Sequence, residues 1–446
     1  MTNLVDQLNS KRRFMREQAL CTLAKKGGFP EEGKLFNMHL HTFFSYNGED
    51  WSPSRIAYEM KMRGMYAAAI CDFDVLQGLD EFLAASDILG LRAAVAMESR
   101  VFFKEYAKEE INSPGEPGVF YFMGMGFTEI PTPGSPSARQ LQKLLENSHT
   151  RNRELINRIN RKMTAFELDY DKDVLPLTPN GNATERHIVA AFQAKAIRAC
   201  GSVEKAAQMW AKLFHDDTAK VAEIAPNINK MREYLRSKLM KKGGMGYKKP
   251  GPDTFPPLDS IINFIRRCRA IPMSAYLDGD SQGEANPQEQ LELLLWKGVE
   301  AVNIIPDRNW NFKDADVKKR KMDHLAEYIR AADALDLPIN IGTECNKPGQ
   351  RIVDDLLGPE LSPYYPTFLR GTQVMVGHTL LRRYADLGLV DVECRSIFRS
   401  RKERNDFFAM VGALPPPSAN VRKTLLSIGH EKAFDKICAA VSKKHW

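Results

Sequence analysis

Short apolar runs recur along the chain, separated by stretches in which apolar residues keep helical spacing. The runs cover 35–40, 66–71, 93–97, 119–127, 271–277, 299–305 and 337–342. They are apolar on both faces, as strands of a parallel sheet covered by helices must be. Between them the sequence predicts helices. Ser52 as N-cap with Pro53 in the first helical position opens one to about Arg63, Leu79–Leu89 ends at Gly90, and two more lie near 287–297 and 316–335. Seven strands in this alternation predict an α/β fold, a distorted βα (TIM-like) barrel, with its chemistry at the carboxyl ends of the strands.

Two segments break the alternation. After a Pro- and Gly-broken stretch at 131–136, residues from about 137 to 240 read as helical with no strand. A Lys/Gly-rich loop at 241–249 closes this block. It lacks the phosphate-loop spacing and reads either as a mobile basic flap over an anionic substrate or as a solvated connector. The chain beyond 350 is mostly helical, with a Pro-rich joint at 414–417. The predicted organisation is an N-terminal helical arm (1–34), the first barrel half (35–127), a helical insertion (128–254), the second barrel half (255–350) and a C-terminal extension (351–446).

Charge adds little constraint. Lysine and arginine number 63 against 56 acidic residues, a net +7 over 446 residues. That suits a small anionic substrate and is too mild to predict a nucleic-acid partner. No apolar run approaches the roughly 18 residues of a membrane span, so no membrane partner is expected. The first 18 residues hold no apolar core followed by a cleavage site. The seven cysteines are scattered with no C-x-x-C, which predicts a reduced, cytoplasmic protein whose thiols fill small core positions.

The sharpest chemical signal is His39-Leu40-His41 at the end of the first strand. Residues i and i+2 of a strand share a face, so two imidazoles emerge side by side, a metal-binding arrangement or simply two polar residues at a strand end. Asp72-Phe73-Asp74 follows the second run, Glu98-Ser99-Arg100 the third and Thr343-Glu344-Cys345-Asn346 the last. One acid after a strand is often a helix cap. Acids repeated at several strand ends beside a histidine pair outline a site assembled from many strands.

His39-Leu40-His41-Thr42, Ser45, Gly48, Ser52-Pro53, Asp72-x-Asp74 with Gly78, and Glu98 resemble the opening motifs of the PHP (polymerase and histidinol phosphatase) family. Arg186-His187-Ile188 is similar to an R-x-H motif in the insertion of its nucleotide-phosphatase-like branch. Residues 341–346 fall where the family closes with Gly-Ser-Asp-x-His. The resemblance covers roughly 35–350. It implies a distorted seven-stranded barrel of PHP type and, usually, three divalent metals acting on phosphoesters. The chain departs from it at Phe73, at Tyr121-Phe122-Met123-Gly124 and at Ala275-Tyr276-Leu277, where family histidines stand. Asn346 replaces the closing histidine, Glu344 the closing aspartate, and Asn47 the acid of a Ser-Asp-Gly turn. The family's first metal set survives as His39, His41, Glu98 and Glu344, whereas phenylalanine cannot ligate and phenol or amide is a poor substitute for imidazole. One divalent ion per chain, zinc, manganese or iron, is therefore expected.

The resulting expectation is a metal-dependent, phosphoesterase-like hydrolase of a small phosphorylated or anionic molecule. Asp72 and His187 are the acid/base candidates. Asp72 reads equally as a partner orienting a ligating imidazole, and His187 as a packing residue of the insertion. Arg100, Arg308 and Lys347 follow strand ends and would grip an anion, unless they are spent on salt bridges. Asp278 sits in a turn placed to touch substrate. His378 follows an apolar run and is a spare candidate. A metal-dependent lyase or isomerase on a sugar-like substrate, and a non-catalytic metal-binding or scaffolding homologue, stay open at this point.

Overall fold

The seven apolar runs form the strands of one sheet in chain order: β1 (Phe36–Leu40), β2 (Ala67–Phe73), β3 (Arg92–Phe102), β4 (Val119–Met125), β5 (Ile271–Tyr276), β6 (Ala301–Ile304) and β7 (Ile339–Ile341). The computed structural model describes residues 3–446. Four neighbouring pairs are parallel, as expected. The exception is β4, antiparallel to both β3 and β5. Its approach segment explains this. Residues 103–118 hold two prolines, two glycines and one short turn of 3-10 helix, with no crossover helix to carry the chain back for a parallel pairing.

The sheet curls into a nearly closed barrel. Closure between β7 and β1 rests on the His41 N–H donating to the Glu344 carbonyl and the Glu344 N–H to the His39 carbonyl, both at 2.8 Å. Gly342 makes that approach possible: a Cβ there would stand 2.4 Å from the His39 nitrogen.

The helices begin and end where the sequence says. Ser52 Oγ accepts the Arg55 N–H to cap helix Pro53–Met62, and Gly90 ends helix Leu79–Leu89 in the left-handed conformation. The N-terminal arm lies on these two helices. Its Arg16 forms a buried pair with Glu81, which also accepts from Ser54. The C-terminal extension packs helix Tyr365–Ala385 against the barrel, and helix Arg401–Ala413 crosses it at Gly377, where a Cβ would collide with the Phe408 carbonyl. His378 on the first of these helices is buried, with Nε2 at 3.1 Å from the Gly126 carbonyl and Nδ1 accepting the Leu389 N–H. It pins the extension to the end of β4 and takes no part in the site.

The block between β4 and β5 is helical, as its spacing predicts, and has its own core around Trp210, Phe192 and Leu235. Its first helix, Pro136–Asn160, has 25 residues and spans about 37 Å at 1.5 Å per residue. That length carries it up the barrel wall beside helix Leu258–Arg267, with Gln140 bonded to Ser260, and on to the strand ends, where Arg151 meets the Thr254 carbonyl. Among the described residues no helix is long and apolar enough to cross a membrane.

Candidate metal centre

β1 delivers His39 and His41 to the same face, with ring centroids 5.3 Å apart. Glu98, from β3, points at both: its Oε2 lies 3.7 Å from His39 Nε2 and 3.5 Å from His41 Nε2. All three side chains are buried, and none of these three atoms has a hydrogen-bond partner. Buried polar atoms almost always have one. Three orphaned donor atoms, all within 4.8 Å of one another, fit a cation between them. Among the described residues no other group of three or more histidine, cysteine or acidic side chains does so. Burial pulls the Glu98 carboxyl up, but the two imidazoles outweigh that and hold it down at about 2, so it is ionised.

The loop after β1 sets the state of His41. Its Nδ1 is 3.0 Å from Ser45 Oγ, and the Ser45 hydroxyl donates to Asp72 Oδ1 at 2.6 Å. With its proton committed to the carboxylate, Ser45 accepts from Nδ1–H, which leaves Nε2 to face Glu98; burial pulls His41 down, but the Glu98 carboxylate outweighs that and raises it, so the proton on Nε2 is the one a cation would displace. The Thr42 N–H and hydroxyl also donate to Asp72, at 2.8 and 2.7 Å. Asp72, read from the sequence either as an acid/base group or as a partner orienting an imidazole, is bonded here to Ser45 and Thr42, as the second reading requires. His39 Nδ1 lies 3.3 Å from the Asn303 NH2, whose oxygen accepts from Asn340 at 2.8 Å; a ligating His39 needs that amide turned, so that Nδ1–H donates to its oxygen and Nε2 is free. Phe73, where the resemblance calls for a histidine, stacks on His41 with centroids 4.8 Å apart.

Glu344 is not brought into the cluster. Its backbone turns to φ 68° while closing the barrel, and its carboxylate meets Arg308 Nη2 at 3.1 Å. The expected four-donor set is therefore three donors and a neighbouring ion pair. Both Glu344 and Arg308 line a cavity of about 610 Å3 that Glu98 also faces.

The cavity wall is shared between the barrel loops and the insertion. Arg100 lines it but is paired with Glu116 and stacked 4.3 Å from the Phe255 ring. Arg151, from the long insertion helix, stacks on the same ring at 4.9 Å and reaches Asp74 at 3.9 Å. Lys347, Lys248 and Lys249 also line the cavity and have no carboxylate within 4.0 Å among the described residues. The last two belong to the Lys/Gly loop, which thus sits at the site.

Two further candidates are placed elsewhere. His187 Nδ1 accepts the Thr184 N–H at 3.1 Å, which makes it the third-position partner of Thr184 in the capping box that opens helix Glu185–Cys200. Burial and the charge of Arg232 hold it down at about 4, so it is neutral, and it packs edge-on against Tyr46 outside the cavity lining. Asp278 is bound by Lys321 at 2.8 Å and does not line the cavity either. Sequence reasoning missed Ser45 as the relay and Asn303 and Asn340 behind His39. The signal for the asparagines was present: each is a lone amide inside an otherwise apolar strand.

The turn after β5 gives a pH prediction. Glu284 accepts the N–H groups of Leu277 and Gly279, at 2.9 and 3.2 Å, and is almost fully buried. Burial, aided by the charge of Asp278 and opposed by the backbone donors, pushes it up to about 7. The folded protein therefore binds a proton more tightly there than the unfolded chain does. Stability contributed by this group is present below about 4.5 and is lost as pH rises through 7, by an amount of order 3 kcal/mol. In thermal melts, wild type is expected to lose ground against Glu284→Gln between pH 4.5 and 7.5. A difference in melting temperature that stays flat over this interval contradicts the assignment.

No family model matches the chain, and no curated protein matches it. Among solved structures it is similar to an amidohydrolase from Chromobacterium violaceum, determined with bound sulfate and no metal, at 15% identity and a TM-score of 0.48. That alignment covers 75% of this chain and 96% of the other. It is also similar to a proposed metal-dependent phosphoesterase from Bifidobacterium adolescentis, at 16% identity and a TM-score of 0.43, over 73% of this chain and 94% of that one.

Proposed function

We propose that this chain is a metal-dependent hydrolase of PHP type that releases phosphate from a small phosphorylated substrate, with one divalent ion, zinc, manganese or iron, held by His39, His41 and Glu98. The observation that carries the reading is the set of three buried donor atoms facing one another without partners. A divalent ion held there would supply Lewis-acid polarisation of a phosphoryl oxygen and activation of water. The chain's own residues supply the rest. Ionised Glu98 offers the negative charge. Asp72, through Ser45, keeps Nε2 of His41 turned inward. Lys347 and the two lysines of the 241–249 loop, none of them neutralised by a carboxylate, draw in a multiply charged anion. Arg308 supplies a fork for its oxygens. Glu344 is the carboxylate assigned to hold or release the proton, because it lines the cavity beside Arg308. A cavity of about 610 Å3, walled on one side by the insertion, suits a small molecule.

Elemental analysis of the purified chain, joined to a phosphatase assay, tests this. The expected result is one equivalent of transition metal per chain, and phosphate release from p-nitrophenyl phosphate or a sugar phosphate that a chelator abolishes and added zinc, manganese or iron restores. A chain that holds no metal, and whose melting temperature none of the three ions raises, is not this enzyme. Stoichiometric metal with turnover of sugar acids and no phosphate release would instead select the lyase or isomerase reading.

A further inference from the structure

A second cavity, of about 580 Å3, opens where helix Pro287–Lys297, the start of β6 and the segment 394–404 meet. Glu300 immediately precedes β6, so this cavity lies at the amino ends of the strands, opposite the metal centre. Five guanidinium groups line it, those of Arg266, Arg395, Arg399, Arg401 and Arg404, and one carboxylate, that of Glu300.

That carboxylate is already shared. Glu300 is buried, and Arg395, Arg401 and Arg404 approach its two oxygens at 3.0, 3.4 and 2.9 Å. Arg401 and Arg404 spend further N–H groups on the carbonyls of Leu335 and Leu389, which fixes them in the wall. Arg266 and Arg399 have no carboxylate within 4.0 Å among the described residues. Of the neighbouring acids outside the lining, Asp391 pairs with Arg269, whereas Glu403 accepts the main-chain N–H of Arg399 and keeps its charge. Lys297, also in the lining, turns to Glu105 and Asp259. Five guanidinium groups against one carboxylate in the lining leave a concave site with a clear excess of positive charge, which Glu403 offsets only in part, and an anion relieves their mutual repulsion. The amino end of helix Arg401–Ala413 opens on the same cavity and adds the positive end of its dipole.

We infer that this cavity binds a multiply charged phosphate anion, at a site separate from the catalytic one and independent of the reading given to it. Planar forks held in several orientations match tetrahedral oxyanions, which offer oxygens in several directions. A single carboxylate would leave most of the charge unanswered.

The test is calorimetric titration of the full chain with inorganic pyrophosphate at fixed ionic strength, in chelator so that no metal mediates binding. Arg266→Ala/Arg399→Ala is expected to weaken the affinity at least tenfold. Neither side chain pairs with a carboxylate, so their loss strands no buried charge. Arg308→Ala/Lys347→Ala, at the other end of the barrel, is expected to retain the binding. Should the first variant fail to fold, Arg395→Ala, whose side chain is 49% exposed, reads the same loss. No heat in wild type, or affinity unchanged by the first substitutions and abolished by the second, overturns the proposal.

Discussion

Glu98→Ala protein is expected to purify with less than a tenth of the wild-type metal and to release phosphate about a thousandfold more slowly. Glu98 is the one carboxylate in the cluster and the only negative charge within reach of both imidazole nitrogens. Without it the ion keeps two neutral ligands, too few to compete with water for a divalent cation. Polarisation by a bound ion is worth several kcal/mol of barrier, and at about 1.4 kcal/mol per tenfold that gives three orders of magnitude. Glu98→Gln is the sharper variant. It preserves shape, offers one neutral oxygen and should fail almost as badly. Two measurements separate loss of the ion from loss of the fold. Metal should raise the melting temperature of wild type by mass action and leave that of the variant unchanged. The metal-free proteins should melt close together. If Glu98→Ala retains a full equivalent of metal with unchanged turnover, the three-donor centre is wrong.

Much of this centre could be read from spacing because strand geometry is so regular. Alternation alone puts His39 and His41 on one face; Glu98, which the sequence reads as following the third strand, lies inside β3, which runs on to Phe102, and faces them from there. The strand runs themselves were legible because they are apolar on both faces. What could not be read depends on where the chain turns. Glu344 occupies the right position for a ligand, but its left-handed backbone sends the carboxylate to Arg308. The reversal of β4 follows from the missing crossover helix, a property of sixteen residues that no single position announces. His187 carries a motif-like neighbourhood, yet the residue three before it is a threonine opening a helix, and the capping geometry claims the ring. The arginine cavity gathers residues from 266, 300 and 395–404, which only the closed barrel and its extension bring together.

Asp72 separates positioning from catalysis, and Asp72→Asn is expected to weaken metal affinity 10- to 100-fold while leaving turnover at saturating metal within a few-fold of wild type. The carboxylate accepts three hydrogen bonds, from the Thr42 N–H, the Thr42 hydroxyl and the Ser45 hydroxyl. An amide offers one oxygen. If its NH2 faces Ser45, the serine proton is displaced toward His41 Nδ1. That nitrogen must then accept, and the imidazole proton moves to Nε2, the very atom needed as a ligand. Metal binding then has to reverse the tautomer first, and the cost falls on affinity. Ser45→Ala breaks the same relay one step nearer the ring, keeps the Asp72 charge, and should shift affinity in the same direction by less. Competition titration with a chromogenic chelator measures both. A general base would give the opposite split, with metal affinity intact and turnover lost at every metal concentration, and that result would return Asp72 to the chemistry.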